Sequence, residues 1–355
     1  MNAERPVMIM AGGTGGHIFP GLAVARALQA QSVPVVWLGS AHGLENQLVP
    51  KAGLTLETLR ISALRGKGAI ALLAAPWRLL RALLDAIAVL RRHQPRAVIS
   101  FGGFAAGPGG LAAWLTRRPL LVHEQNRLPG LTNKVLSKLA RRVLCGFANA
   151  LPHGLWVGNP VRAEIAALPP PRERFAARPG LRVLVLGGSQ GARALNRVLP
   201  QAFAQLGDLG ITLRHQCGAR LLDEARAAYA DAKVEARVEP FIEDMAQAYG
   251  EADLVIARAG ALTLAELCAA GVGAILVPFP HAVDDHQTAN ARVLVEAGAA
   301  QLVPEAELNA TDLAARVRAL LTDPAQRLAM AEAARSLAKP EADRVVAQHC
   351  LEVSP

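Results

Sequence analysis

Apolar and polar positions alternate along this chain in blocks. Short, nearly unbroken apolar runs at 7–11, 33–38, 97–101, 120–123 and 143–146 are separated by longer stretches with helical periodicity. A second series follows at 181–186, 254–257 and 274–277, with more mixed runs at 211–216 and 234–238. Runs of this length read as strands buried on both faces of a parallel sheet, and the periodic stretches as the crossover helices between them. The pattern therefore predicts the α/β class, with one parallel-sheet half following another. A stiff Leu168-Pro169-Pro170-Pro171 stretch separates the two series, and the boundary is placed near Arg162. A chain of 355 residues exceeds what one core ordinarily serves, which also favours two domains.

Each half opens with a strand, a glycine-rich turn and a helix. The first turn runs Gly12-Gly13-Thr14-Gly15-Gly16-His17, the second Gly187-Gly188-Ser189-Gln190-Gly191. Glycine lets backbone approach a phosphate closely, and a helix N-terminus offers N–H groups with partial positive charge. Neither turn is a dinucleotide fingerprint. Ile18 stands where a third glycine belongs, and the second strand ends in Leu38-Gly39-Ser40, without an acid for a ribose. Neither continues into Lys-Ser or Lys-Thr, which excludes a P-loop. Two phosphate-cradling halves without these signatures point to a ligand held in a cleft between domains.

Several residues could carry chemistry. His17 follows the first glycine turn, where a neutral imidazole can take a proton from an attacking hydroxyl, or merely pack the loop. His123-Glu124-Gln125-Asn126 ends a strand, the edge where such sheets place ligand contacts. Arg162 can meet a diphosphate with its fork, or make a structural ion pair. The segment 258–266 ends a strand and opens a helix whose N-terminus suits phosphates. There Glu266 can accept hydroxyl hydrogen bonds from a ribose, or simply favour the helix dipole. His281, Asp284, Asp285 and His286 are not spaced as a metal site, and no metal is assigned.

Charge sharpens this picture. Residues 1–160 carry 18 Lys and Arg against five acids, and the remainder 20 against 24, so one half alone faces a polyanion. Aromatic residues are too few, and too seldom interleaved with basic ones, for stacking on single strands; nucleic acid is set aside and anionic lipid favoured. The four cysteines, Cys145, Cys217, Cys268 and Cys350, lack metal or redox spacing and read as reduced thiols of a cytoplasmic protein. The N-terminus lacks the basic region and long apolar run of a signal peptide. The uncharged stretch 97–115 holds five glycines and a proline, and reads as strand, loop and helix, not as a membrane span.

The segments AGGTGGHIFPGLAVA (11–25), LRGKG (64–68), FGGFAAGPGG (101–110), HEQN (123–126), GNPVR (158–162), GGSQGA (187–192), GALTLAE (260–266) and HQTAN (286–290) follow one another in this order. Together they resemble the MurG family of bacterial UDP-N-acetylglucosamine:N-acetylmuramyl-(pentapeptide) pyrophosphoryl-undecaprenol N-acetylglucosamine transferases. The resemblance implies the GT-B glycosyltransferase fold, two Rossmann-like parallel-sheet domains facing a cleft. Residues 1–162 would serve acceptor and membrane, with a C-terminal helix at 338–355 returning to them, and 163–337 would bind the UDP-sugar. It implies an inverting transfer from UDP-N-acetylglucosamine to the muramyl 4-hydroxyl of lipid I, giving lipid II for peptidoglycan, at the cytoplasmic face of the inner membrane.

Carried over to matching positions, His17 would be the base. Thr14, Gly15, Gly16, Asn126, Arg162, Ser189, Ile242, Ala261, Leu262, Thr263, Leu264, Ala265, Glu266 and Gln287 would contact the donor, with Glu266 on the ribose and Ile242 at the uracil. Gly12, Gly13, Gly102 and Gly103 would take the acceptor diphosphate. No metal or other cofactor is required. The loop at 280–286 departs from the family pattern, so either Gln287 or His286 fills that donor position.

A helix is predicted over 69–92, interrupted or restarted at Pro76. Ile70, Leu73, Trp77, Leu80, Leu84 and Ile87 form its apolar face, and Arg78, Arg81, Asp85 and Arg92 a charged stripe. Arg60, Arg65 and Lys67 precede it. Basic residues beside an apolar helix suit a peripheral protein on anionic lipid; the bland reading is a helix buried on its sheet. Trp114 is a second anchor or plain core. Two other functions fit part of the pattern. A UDP-N-acetylglucosamine 2-epimerase would share the fold without needing the basic apolar patch, and a non-catalytic sugar-nucleotide or lipid binder would not need His17.

Overall fold

Two parallel sheets organise the chain. The computed structural model describes residues 5–61, 75–176, 180–188 and 191–354. Arg65, Lys67, Ile70, Leu73, Ser189 and Gln190 lie outside these described residues, as does the start of the predicted 69–92 helix. The chain divides into one unit of Met1–Val161 with Glu341–Pro355, and a second of Arg162–Pro340.

Among the described residues the first unit holds β1 (Val7–Ala11), β2 (Val35–Ser40), β3 (Thr55–Leu59), β4 (Ala97–Gly102), β5 (Leu120–Glu124), β6 (Arg142–Cys145) and β7 (Leu155–Trp156), in the order β3-β2-β1-β4-β5-β6-β7. The second holds β8 (Leu181–Leu186), β9 (Ile211–Gln216), β10 (Arg237–Glu239), β11 (Leu254–Ala257), β12 (Ala274–Leu276) and β13 (Ala300–Leu302), in the order β10-β9-β8-β11-β12-β13. All pairings are parallel. β1 and β8 hold the same place in their sheets, each with its glycine turn at the carboxyl end.

Three strands go beyond the sequence pattern. β3, β7 and β13 are edge strands, and an edge strand needs no continuous apolar run because part of it faces water. β3 is mostly exposed or half-buried and reads Thr-Leu-Glu-Thr-Leu. The predicted strand at 234–238 instead forms at Arg237–Glu239, three residues on another edge.

In the first unit the helices Gly15–Gln29 and Ala342–Glu352 cover one face of the sheet. Ala75–His93 and Ala106–Leu115 cover the other. The covering is close. A Cβ on Gly21 would lie 2.6 Å from Cη2 of the buried Trp37, so this helix approaches β2 only because residue 21 has no side chain. Trp37 in turn donates its indole N–H to the Ala11 carbonyl at 2.8 Å, which secures the end of β1 just before the glycine turn. Burying such a ring contributes about 3 kcal/mol or more, so the turn is carried by a well-anchored strand.

In the second unit Arg193–Ala204, Leu222–Asp231 and Ala310–Thr322 pack on one face of the sheet. Arg174 is buried and acts as a common C-terminal cap. Its two terminal nitrogens donate to the carbonyls of Tyr249, Gly250, Ala270 and Gly271, and Nε donates to Pro169. A cation here satisfies orphan carbonyls and favours the negative ends of two helices, Met245–Glu251 and Ala261–Ala270. The second of these carries Glu266.

Candidate active site

In the first unit the sheet brings two glycine turns together. The β1–β4 register slips between Met10 and Ala11, so that Ala11 pairs with Gly102. Gly102 and Gly103 then run at φ +104° and +94°, a region that side chains rarely enter. A Cβ on Gly103 would lie 2.5 Å from the Gly12 carbonyl oxygen, so the two turns meet backbone to backbone. A Cβ on Gly102 would lie 3.1 Å from Cε1 of His17, placing the imidazole against this second turn.

Beneath the first turn sits the fully buried Glu45. It accepts the Gly13 N–H at 3.0 Å, the Ser40 N–H at 2.8 Å and the Ser40 hydroxyl at 2.6 Å. Burial acts to raise its pKa, but the Ser40 hydroxyl and the Gly13 and Ser40 amides outweigh it and hold the carboxyl below its ordinary value. The Gly13 amide, expected for an acceptor diphosphate, is thus engaged with Glu45 in this structure. Thr14 is the N-cap of Gly15–Gln29, with no side-chain cap and no acid in the first turn. The start of this helix therefore keeps its partial positive charge.

His17 is half-buried, and its Nδ1 lies 3.1 Å from Gln125 Oε1. Gln125 is buried, with Nε2 2.8 Å from the His123 carbonyl and 3.1 Å from His123 Nδ1. His123 is fully buried, with Nε2 2.9 Å from the Gly158 carbonyl. Burial lowers its pKa to about 4, so the ring is neutral near pH 7. Glu124 accepts from the backbone N–H groups of Asn126 and Gly130 and from the amide side chains of Asn126 and Asn133. These bonds fix the loop that presents Asn126.

In the second unit Ala261–Ala270 begins directly after β11, with Gly260 as an N-cap that offers no side chain. Ala261, Leu262, Thr263, Leu264 and Ala265 form its opening turn, and Glu266 follows one turn in. Arg162 donates through Nε and Nη2 to Glu266 Oε1 at 3.1 and 2.8 Å, while Tyr249 donates its hydroxyl to Oε2 at 3.1 Å. Burial pushes the Glu266 carboxyl above its ordinary value, against the charge and hydrogen bonds of Arg162 and the hydroxyl of Tyr249. Burial, and then the neighbouring carboxylate, also raise the Tyr249 phenol, so it remains a donor. Of the two readings of Arg162, this structure displays the ion pair. Gln287 Oε1 accepts the N–H groups of Ala259 and Phe279 at 3.2 and 3.0 Å, joining two loops. Ile242 is buried, and Phe241 beside it is largely exposed. Among the described residues no three His, Cys, Asp or Glu side chains gather as a metal site.

Known proteins resemble the chain throughout. The Glycosyltransferase family 28 N-terminal domain matches residues 7–145, and the Glycosyltransferase family 28 C-terminal domain matches 182–347. The UDP-N-acetylglucosamine–N-acetylmuramyl-(pentapeptide) pyrophosphoryl-undecaprenol N-acetylglucosamine transferase of Xanthomonas campestris is 62% identical, over 98% of this chain and 82% of its own. The chain belongs to this transferase family. The Xylella fastidiosa member is 59% identical over 99% of this chain and 96% of its own. The crystal structure of Acinetobacter baumannii MurG superposes with a TM-score of 0.85, at 41% identity over 98% and 99% of the two chains. The fold is accordingly GT-B.

Among the residues that hold the candidate site together, three were not singled out by the sequence pattern. Glu45 is an isolated acid in a basic half, and that isolation was the available signal. Tyr249 is one of only two tyrosines. Gln125 stood within a polar strand end, but nothing in its spacing from His17, 108 residues away, links the two.

Proposed function

We propose that this chain transfers N-acetylglucosamine from UDP-N-acetylglucosamine to the muramyl 4-hydroxyl of lipid I, with inversion, yielding lipid II and UDP. The observation that carries this is near-full-length identity of about three residues in five to transferases named for that reaction. His17 takes the proton as the hydroxyl oxygen attacks the anomeric carbon, while the bond to the β-phosphate oxygen breaks and its electron pair leaves with UDP. The first unit is the acceptor side, with Gly12, Gly13, Gly102 and Gly103 near the lipid diphosphate. The second is the donor side. The opening amides of Ala261–Ala270 and Arg162 meet the developing charge on UDP, Glu266 the ribose, and Ile242 with Phe241 the base. Donor phosphates compete with Glu266 for Arg162, and the acceptor diphosphate competes with Glu45 for the Gly13 amide.

The enzyme works on an anionic membrane surface. No helix among the described residues is long and apolar enough to cross a membrane. Support for surface binding comes from three neighbouring helices. Trp77, Leu80 and Leu84 on Ala75–His93, Trp114 and Leu115 on Ala106–Leu115, and Leu131 and Val135 on Leu131–Leu136 are all exposed. Arg78, Arg81 and Lys134 accompany them on the same helices. Apolar residues that enter the interface with basic residues around them bind anionic lipid through both terms.

The test is transfer of labelled sugar to a lipid I analogue, with donor alone as control. Acceptor-dependent product is expected. Donor consumption without acceptor, releasing an epimerised sugar and UDP, would remove this reading.

A further inference from the structure

We infer that Gln125, oriented by His123, fixes His17 in the Nδ1–H tautomer and so presents an unprotonated Nε2 for proton transfer. The inference rests on the reading of His17 as the base, but its geometry does not.

Two backbone carbonyls determine the assignment, because a carbonyl oxygen can only accept. His123 Nε2 lies 2.9 Å from the Gly158 oxygen, so it carries the ring hydrogen and donates. The ring is buried and neutral, and its Nδ1 is therefore a bare acceptor. Gln125 Nε2 lies 2.8 Å from the His123 carbonyl, which identifies that atom as the amide nitrogen. Its second hydrogen is directed to His123 Nδ1 at 3.1 Å. A flipped Gln125 would set its oxygen against two acceptors. Gln125 Oε1 must then face His17, and an oxygen 3.1 Å from Nδ1 requires the hydrogen on Nδ1.

The remaining ring nitrogen of His17 has no protein partner among the described residues. Histidine in water favours the opposite tautomer, which would turn a hydrogen toward the acceptor hydroxyl and leave nothing to receive its proton. A neutral amide here does what a buried carboxylate does behind other catalytic histidines: it selects the tautomer and orients the ring. Unlike a carboxylate it brings no charge. Gln125 and His123 are thus positioning residues. Asn159 steadies the arrangement by donating to the Gln125 carbonyl at 3.0 Å.

The experiment is nitrogen NMR of the full chain labelled at histidine, at alkaline pH, with the His17 signals assigned by their loss in His17→Gln. It is paired with steady-state kinetics of Gln125→Met, a side chain of similar length with no amide. The expected wild-type spectrum has Nδ1 protonated and Nε2 at the position of a bare ring nitrogen. In Gln125→Met the tautomer should shift toward Nε2–H, and kcat should fall about 100-fold with KM for the donor nearly unchanged. Gln125→Glu keeps an acceptor toward His17 Nδ1 and should retain the Nδ1–H form, but its second oxygen faces the His123 carbonyl and Nδ1, so only part of kcat should return. A wild-type His17 protonated at Nε2 would overturn the inference. So would a Gln125→Met protein that keeps the Nδ1–H form, or one that keeps kcat within about twofold. If the tautomer is as expected but His17→Gln still turns over normally, the base assignment fails and the tautomer assignment stands.

Discussion

The first glycine turn of each unit leaves the same place in its sheet, yet the two turns rest on different supports. Under the turn after β1 lies a carboxylate, Glu45, which only accepts, from Gly13 and twice from Ser40. Under the turn after β8 lies a carboxamide, Gln216, whose Oε1 accepts the Gly188 N–H at 3.0 Å while Nε2 donates to the Gly188 and Pro240 carbonyls at 3.0 and 3.2 Å. The support decides what a turn can offer. Glu45 consumes a donor that could face an anion and sets a negative charge behind the turn, whereas Gln216 holds its turn without charge. The sites differ in the opposite sense. Around His17 the partners are neutral imidazole and amide, while around Glu266 they are a guanidinium and a phenol. Neutral partners suit the proton-accepting role proposed for His17, and charged partners the binding role proposed for Glu266.

Acid should probe both units most strongly. Each contains a buried neutral histidine, His123 with a pKa lowered to about 4 and His215 with a pKa lowered to about 3. The unfolded chain protonates these rings near 6.5, above the folded values, so their contribution is fully present above pH 6.5 and is lost as pH falls toward 4 and 3. The loss is on the order of 3 kcal/mol for His123 and about 5 kcal/mol for His215. In the second unit the paired change His215→Phe with Tyr229→Phe removes ring and phenol together. Denaturant unfolding as a function of pH should then show a flatter acid slope. An unchanged slope would assign the acid sensitivity elsewhere.

Exchanging the supports comes next. Glu45→Gln must turn an NH2 toward either the Gly13 or the Ser40 N–H, and Gln216→Glu must turn an oxygen toward two carbonyls. Each should cost about 2 kcal/mol in unfolding free energy, the charged replacement more. If Glu45→Gln were neutral in a denaturant titration, the carboxylate would not be what holds the first turn.

Tyr249→Phe removes one donor from Glu266 and should cost about 1 kcal/mol of stability. Calorimetric titration should show weaker UDP binding with Arg162 and Glu266 intact; unaltered affinity would separate this cluster from the donor. Trp77→Ala should have the smallest effect, about threefold weaker binding to vesicles containing anionic lipid, with folding unaffected. Unchanged sedimentation with such vesicles would remove the helix from the membrane surface.

The central strands were legible because burial on both faces demands the unbroken apolar runs that a sequence displays directly. β1, β8 and β11 match their predicted limits, as does β9, although it carries Arg214, His215 and Gln216. The edge strands β3, β7 and β13 lacked that demand and were missed. His17, Arg162 and Glu266 were legible as polar residues at strand ends and helix starts. Their partners were not. Nothing local ties Gln125 to His17, Glu45 to Gly13 or Tyr249 to Glu266, since each pair meets only once the sheet order is set. The single-residue slip between β1 and β4, which sets Gly102 against His17, likewise arises from the three-dimensional register alone.

The most direct test of the account is single-turnover transfer to a lipid I analogue by His17→Ala, at saturating donor and acceptor, with UDP affinity measured on the same protein. The account predicts a rate lower by about 100-fold or more with UDP affinity unchanged. A variant that transfers at the wild-type rate, or that loses UDP binding in step with turnover, would contradict the proposed role of His17 as the base.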